Sequence, residues 1–352
     1  MKTFTNQKVR RGLVGLAGTG LLLAWLASPP VSDAISSPTS AVPVIRLAAG
    51  VTSREIQAAL DSLPDTGGEV QLPAGRFEIF SPVVLGRDGL SLTGSGTDTV
   101  LRLADGANCP VLILGEPVNH PCCVVRHLEV ARLAVDGNRA AQGRELWHLA
   151  GEGSQIRNNG ITVQAVSDSL VSNVTCANCR SGGLVTTLGV RRLTVRHFDS
   201  CGNEFDGLAC YDTADSIFAD LNLHDNPGAG ISLDLAFVHN IISNAVLARN
   251  DLGIFMRASH NNQFHDVTIR RSHHFGVFMA HTDFTTPAGV RPVPDSECTR
   301  NAFTNLAAID CGSAAFRVND LNCTNNVIIQ PRFVDDPRGG ISEVRPDLVS
   351  VK

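Results

Sequence analysis

Lysine is almost absent. Lys2, Lys8 and Lys352 are the only ones in 352 residues, so no lysine is available for chemistry except at the extreme C-terminus, and cationic roles fall to arginine and histidine. There is no basic surplus either: the net charge is −5 and the isoelectric point is near 6.1, which leaves no electrostatic footprint for nucleic acid. Long apolar runs are also scarce. The run Leu13 to Ala27 is too short and too glycine-rich for a comfortable membrane span. Preceded by Lys2, Lys8, Arg10 and Arg11, it reads as a secretory signal. Cleavage is expected after Ala34, with Ser32 at minus three; an uncleaved anchor is the alternative. The expected organisation is a signal over residues 1–34, a linker over 35–43 and one domain over 44–352. The expected product is an exported monomer (periplasmic, extracellular or cell-surface) with no stable membrane span after cleavage.

What the chain has is a repeat. From Asn159 to His281, each unit opens on a glycine and an aliphatic residue: Gly160-Ile161, Gly183-Leu184, Gly207-Leu208, Gly230-Ile231, Gly253-Ile254 and Gly276-Val277. The spacings of 23, 24, 23, 23 and 23 are those of a solenoid. The position after the glycine (Ile161, Leu184, Leu208, Ile231, Ile254, Val277) and the third (Val163, Thr186, Cys210, Leu233, Met256, Met279) are mainly apolar and point inward. The second and fourth are mixed, as on a strand alternating between core and outer face. Stacked identical strands run parallel, which predicts an all-β fold, a parallel β-helix. Ten cysteines in an exported chain favour disulfides over metal thiolates. Cys176 or Cys179 with Cys201, two of Cys298, Cys311 and Cys323, and Cys109 with Cys122 or Cys123 are the candidate pairs; Cys210 also reads as a small core residue.

The N-terminal part differs. Thr52-x-x-Glu55 is a capping box, and Ile56, Ala59, Leu60 and Leu63 share one helical face that Pro64 and Gly67-Gly68 end. A helix from Ser53 to Leu63 is predicted. The run Ile56-Gln57-Ala58-Ala59-Leu60 through Gly67-Gly68-Glu69-Val70-Gln71-Leu72-Pro73-Ala74-Gly75 resembles the entry segment of the pectate-lyase-like superfamily, and Val135-Asp136-Gly137-Asn138-Arg139 resembles one of its recurring turns. The resemblance implies a right-handed coil whose open N-terminal end is capped by that helix. The tail from Pro331 to Lys352 is expected to cover or leave the other end. An insertion, Pro287 to Arg300, widens the spacing from Gly276 to Ala315 to 39 residues, and a second excursion runs from Arg139 to Arg157 with Trp147 and His148. Both are expected to project from the coils.

Chemistry on a packed solenoid belongs on an outward face. The fourth position becomes Tyr211, Asp234 and Arg257 in three consecutive coils, flanked by Asp212 and His281, and the second becomes Phe255 and Phe278. The bland reading is a surface Asp234–Arg257 ion pair worth under about 1 kcal/mol. The functional reading is a groove under the insertion in which Tyr211, Asp234, Arg257, Asp212 and His281 are catalytic and Asp206, Phe255, Phe278 and His260 bind substrate. Arginine neutralising the carboxylate of an acidic sugar makes its α proton removable, with tyrosine or histidine as base or acid. Asp234 resembles an aspartate of alginate C5-epimerases; Leu208-Ala209-Cys210-Tyr211-Asp212 stands where they have Asp-Pro-His-Glu, and their lysine is absent. Hydrolysis by Asp212 and Asp234 is the alternative, although Gly228-Ala229 and Asp251-Leu252-Gly253 depart from the polygalacturonase pattern that Asp206-Gly207 resembles. A noncatalytic glycan-binding solenoid is the third reading. His273-His274 has no third ligand in its turn, so no metal site is assigned; no cofactor is expected to be required, with calcium an optional ion. The expected partner is a polysaccharide.

Overall fold

Each glycine-led unit forms one strand of a ten-stranded parallel sheet, in a computed structural model that describes residues 42–143, 156–281 and 297–352. The expected signal and most of the expected linker lie outside the described residues. So do Trp147, His148 and the proline-rich part of the insertion. The strands Ile161–Gln164, Leu184–Thr187, Leu208–Tyr211, Ala229–Asp234, Leu252–Met256 and Val277–Met279 stack in the register expected from the repeat. Leu208 lies opposite Ile231, and Ile254 opposite Val277. The glycines are there because the coils approach too closely for a side chain. A Cβ at Gly183, Gly207, Gly230 or Gly253 would lie 2.5, 2.9, 3.0 or 2.4 Å from the carbonyl oxygen of the next glycine in the column.

The two inward columns are fully buried from Ile161 to Met279. They join a single core that continues along the whole stack. Phenylalanines fill the middle of several coils, with Phe264 and Phe303 stacked at 4.3 Å and Phe303 edge-on to Phe316 of the ten-stranded sheet at 5.1 Å. Full burial stabilises each such side chain by roughly 1.5–3 kcal/mol.

The remaining strands form a twenty-stranded sheet that bends around the coil. Its corners are residues in the left-handed region. Asn173, His197, Asp220, Asn244, Asp266 and Asn305 form one column with φ between 49 and 55°. Asp225, Arg249, Arg271, Asp310 and Asp335 form another with φ between 53 and 59°. The dominance of Asn and Asp follows from their tolerance of this conformation. Inside the turns, asparagine amides run in ladders along the stack. Asn203 donates to Asn226 and Asn226 to Asn250 (3.0 and 2.9 Å), while Asn262, Asn301 and Asn326 repeat the arrangement at 2.9 and 3.0 Å. All are buried, so each ladder satisfies backbone and amide groups that have no water.

The helix occupies Ser53–Ser62 with the capping box formed: Thr52 N–H donates to Glu55 Oε2 at 2.7 Å. Ile56, Ala59 and Leu60 are buried against the first coils. The tail does not act as a lid. Arg332–Val334, Ile341–Glu343 and Val349–Val351 pair in parallel with the preceding coil and extend the solenoid. The expected cysteine bridges are not formed either, as all ten thiols are free. Strand alternation explains the case of Cys201: its register partner is Ala177, so it faces out, while Cys176 pairs with Ser200 and faces in. The Cys176 sulfur instead lies 3.7 Å from that of Cys179 on its own coil. Cys298 and Cys323 are in contact across neighbouring coils, and the Cys311 N–H is taken by Asp336 at 3.0 Å.

Candidate functional site

On the outer face of the ten-stranded sheet, Tyr211 and Asp234 are direct register partners. Arg257 follows the next strand; its N–H donates to the Leu233 carbonyl at 2.8 Å, and its guanidinium donates to Asp234 Oδ2. The ion pair is not the surface pair of the bland reading. Asp234 is only 2% exposed while the Arg257 side chain is 31% exposed, so the carboxylate is recessed and the arginine closes over it. Burial pushes the Asp234 pKa up, and Arg257 opposes that rise. The Arg257 guanidinium also lies 4.9 Å from the centre of the Phe255 ring, a cation–π contact. Phe255 stacks on Phe278 at 5.9 Å, and Phe275 reaches Phe278 at 5.3 Å. The phenylalanine platform is therefore continuous with the ion pair.

Asp206 joins this group electrostatically. Its Oδ1 accepts from the Ala229 N–H at 2.7 Å, and burial raises its pKa to about 6, against the lowering effects of that hydrogen bond and of Arg157. Tyr211, the only tyrosine of the chain, is held well above its ordinary pKa, first by burial and then by the Asp206 charge. Gly228 allows the packing, since a Cβ there would lie 2.6 Å from Asp206 Oδ1. Arg157 was not legible in the repeat. It lies at the end of an excursion, and only the tertiary fold brings it near Asp206 and Tyr211.

Other expected members are elsewhere engaged. Asp212, in the left-handed region at φ 41°, directs Oδ1 to Arg191 Nη2 of the preceding coil at 3.0 Å. Asp234 is held by Arg257, so two separate arginines claim the two carboxylates that hydrolysis would pair. His260 is on the short strand Ser259–His260 of the twenty-stranded sheet, and the His281 N–H donates to Asp320 at 3.0 Å. The outer face is also more covered than alternation alone implies. Thr162, Val185 and Ala209 are buried, and Gln164 donates to the carbonyls of Glu116 and Val118 in a loop above it.

One groove lies away from this face, on the twenty-stranded sheet. It has a volume of about 950 Å³ and runs along the twenty-stranded sheet past His224, Val246, Arg249, Arg270, Arg271 and Asp310. The expected groove over the Tyr211 column lies under the insertion, most of which is outside the described residues. The outer alternation of the strands on the twenty-stranded sheet turns Asn222, Val246 and Arg270 toward the groove that runs past His224.

The fold is a right-handed parallel β-helix. The chain belongs to the family described as "Periplasmic copper-binding protein (NosD)", which it matches over residues 136–332, more than half its length. Solved structures share the coil at low identity. The ORF18 protein of Geobacillus virus E2 superposes with a TM-score of 0.66 at 11% identity, covering 86% of this chain, which spans only 61% of that one. The polygalacturonase from Erwinia carotovora ssp. carotovora gives 0.62 at 12% identity, covering 88% and 96% of the two chains. The Azotobacter vinelandii mannuronan C-5 epimerase AlgE4 A-module gives 0.54 at 15%, covering 85% and 95%. No curated protein matches the chain in sequence.

The family description brings in copper, which amends the expectation that no cofactor is required. Two groups of described residues bring three potential ligand atoms within 4.8 Å of one another: Glu116 with Cys122 and Cys123, and Asp199 with Cys201 and His224. Thiolate and imidazole donors suit copper, so the residues present fit the ion in their chemistry.

Proposed function

We propose that the chain is an exported enzyme that acts on a uronate-containing polysaccharide at the Asp206–Tyr211–Asp234–Arg257 face, by β-elimination or C5 epimerisation. The observation that carries this reading is the recessed Asp234–Arg257 pair beside Tyr211 and an Asp206 with a pKa of about 6. Arg257, anchored by Asp234 and half-exposed, neutralises the substrate carboxylate and acidifies the proton at C5. Asp206 has the proton affinity of a base working near neutral pH. Tyr211 stays protonated and acts as the acid: it protonates the leaving glycosidic oxygen in elimination, as the C5–H electron pair becomes the C4–C5 double bond, or returns a proton to C5 from the other side in epimerisation. Phe255 and Phe278 give the sugar rings an apolar floor. The signal-like N-terminus and the periplasmic description of the family support export. Polysaccharide enzymes on the same coil support the substrate class. Copper, where bound, supplies Lewis-acid or one-electron chemistry; the proposed proton transfers rest on the side chains alone.

The test is incubation of the purified protein with pectate, alginate, glycosaminoglycan and neutral glycans, following ultraviolet absorbance, reducing ends and hydrogen exchange at C5 together. Elimination gives absorbance and ends in step; epimerisation gives exchange alone. Tyr211→Phe is expected to lower kcat by about 10²–10⁴-fold. Reducing ends without absorbance, or binding with neither cleavage nor exchange, overturns the reading.

A further inference from the structure

Beyond the proposed reaction, the outer face of the twenty-stranded sheet carries a group of donors that the polysaccharide site does not use. Cys201 ends the strand Val190–Cys201, and His224 ends the neighbouring strand Ile217–His224 as its register partner. Asp199, two residues before Cys201, shares the same face. The ligand atoms of the three lie within 4.8 Å of one another. Metal–ligand bonds of about 2.0–2.3 Å place neighbouring ligand atoms of a tetrahedral site roughly 3.3–3.8 Å apart, so the group needs only a small contraction.

What distinguishes it from a chance cluster is the support around each donor. Asp225 Oδ2 lies 2.5 Å from His224 Nδ1, which favours the tautomer that carries its proton there and turns Nε2 toward Asp199 Oδ1 at 3.9 Å. Asp225 is itself gripped by Arg249 Nε and Nη2, both at 2.6 Å. Asn222 Nδ2 donates to Asp199 Oδ2 at 2.5 Å, leaving Oδ1 facing His224. A histidine whose far nitrogen is held by a carboxylate, itself fixed by another group, is the outer support that orients metal ligands. The other group lacks this support. Cys122 and Cys123 are adjacent residues on an exposed loop, and Glu116 is already occupied by the Cys122 N–H at 2.8 Å.

We propose that Cys201, His224 and Asp199 form a copper site on the outer face of the coil, next to the groove that runs past His224. The thiolate and imidazole are the principal donors and the carboxylate completes the set, with an open side toward the groove. Two strands joined by ladder hydrogen bonds hold the donors, so the site forms with the fold.

The experiment is anaerobic titration of the full chain with Cu(I) against bicinchoninate, followed by copper-edge X-ray absorption of the loaded protein. One Cu(I) per chain, with sulfur and nitrogen in its shell, is expected. Cys201→Ser and His224→Gln are each expected to weaken binding at least ~10-fold, with far-ultraviolet dichroism and melting unchanged; the double variant Cys122→Ser, Cys123→Ser is expected to bind as the parent does. No binding, a sulfur-only shell, or loss confined to the Cys122, Cys123 variant overturns the assignment. The absorption measurement on the unaltered protein decides the matter even if a variant fails to fold. None of these readouts depends on turnover of a polysaccharide.

Discussion

Asp206 links stability to chemistry at the scale of single residues. Its folded pKa of about 6 stands above the ordinary 3.8, so the fold disfavours the charged carboxylate. The cost is absent below about pH 4, grows as pH rises through 6, and is complete above it. About two units correspond to at most about 3 kcal/mol. Asp206→Asn keeps an oxygen for the Ala229 N–H and removes the charge, so it is expected to raise the melting temperature at pH 8 and leave it unchanged at pH 4. Equal effects at the two pH values in paired melts would show that the carboxylate is not strained. In the parent protein, the rate of any proton abstraction is expected to rise with pH through the same region. Tyr211, Asp234 and Arg257 were legible as candidates because each replaces an ordinary residue in one column of the repeat. The depth of Asp234, the turn of Asp212 toward Arg191 and the approach of Arg157 were not, because they depend on which rotamers and loops the neighbouring coils allow.

The asparagine ladders govern stability at the scale of strands and turns. Asn226 Oδ1 accepts from both the N–H and the Nδ2 of Asn203, at 3.1 and 3.0 Å, inside the turn where Asn203 is fully buried. Asn226→Ala leaves the buried Asn203 N–H without its acceptor and Asn203 Nδ2 with only Ser200 Oγ at 3.0 Å, and is expected to cost about 1–3 kcal/mol. Asn222→Ala, on the outer face of the preceding strand, is expected to cost under about 0.5 kcal/mol. Urea unfolding of the two variants side by side measures the contrast; similar midpoints would mean that the ladder contributes no more than an exposed amide. The polar residues at strand ends were visible in the sequence as turn formers. Their alignment into continuous amide ladders required the coils to be stacked.

The solenoid from Val42 to Lys352 is a column with an open apolar end that the helix Ser53–Ser62 covers. Ile56 and Leu60 are fully buried beneath it. Replacing both with aspartate places two charges against the core and frees the helix, exposing apolar side chains and unpaired strand edges. The expected result is a lower melting temperature together with self-association, detected by size-exclusion chromatography with light scattering. A stable monomer would remove the capping role from the helix. At this scale the proposed polysaccharide face and the proposed copper donors occupy different sheets of one coil, so each can be altered without touching the other's strands.

The sequence by itself determined the coil: its period, its inward columns, its capping helix and the strand stacking. Each depends on short-range chemistry repeated every 23 or 24 residues, which a linear pattern records directly. It named Cys201 only as a disulfide candidate and did not single out His224. Their meeting required the register that pairs Cys201 with His224 across a coil, just as the free thiols required Cys176 and Cys201 to fall on opposite faces. Tertiary structure decided these points because a side chain's partners on a solenoid come from the coil above and the coil below. Which of them share a face depends on strand register and on corners in the left-handed conformation, and a one-residue shift at either would exchange inside for outside.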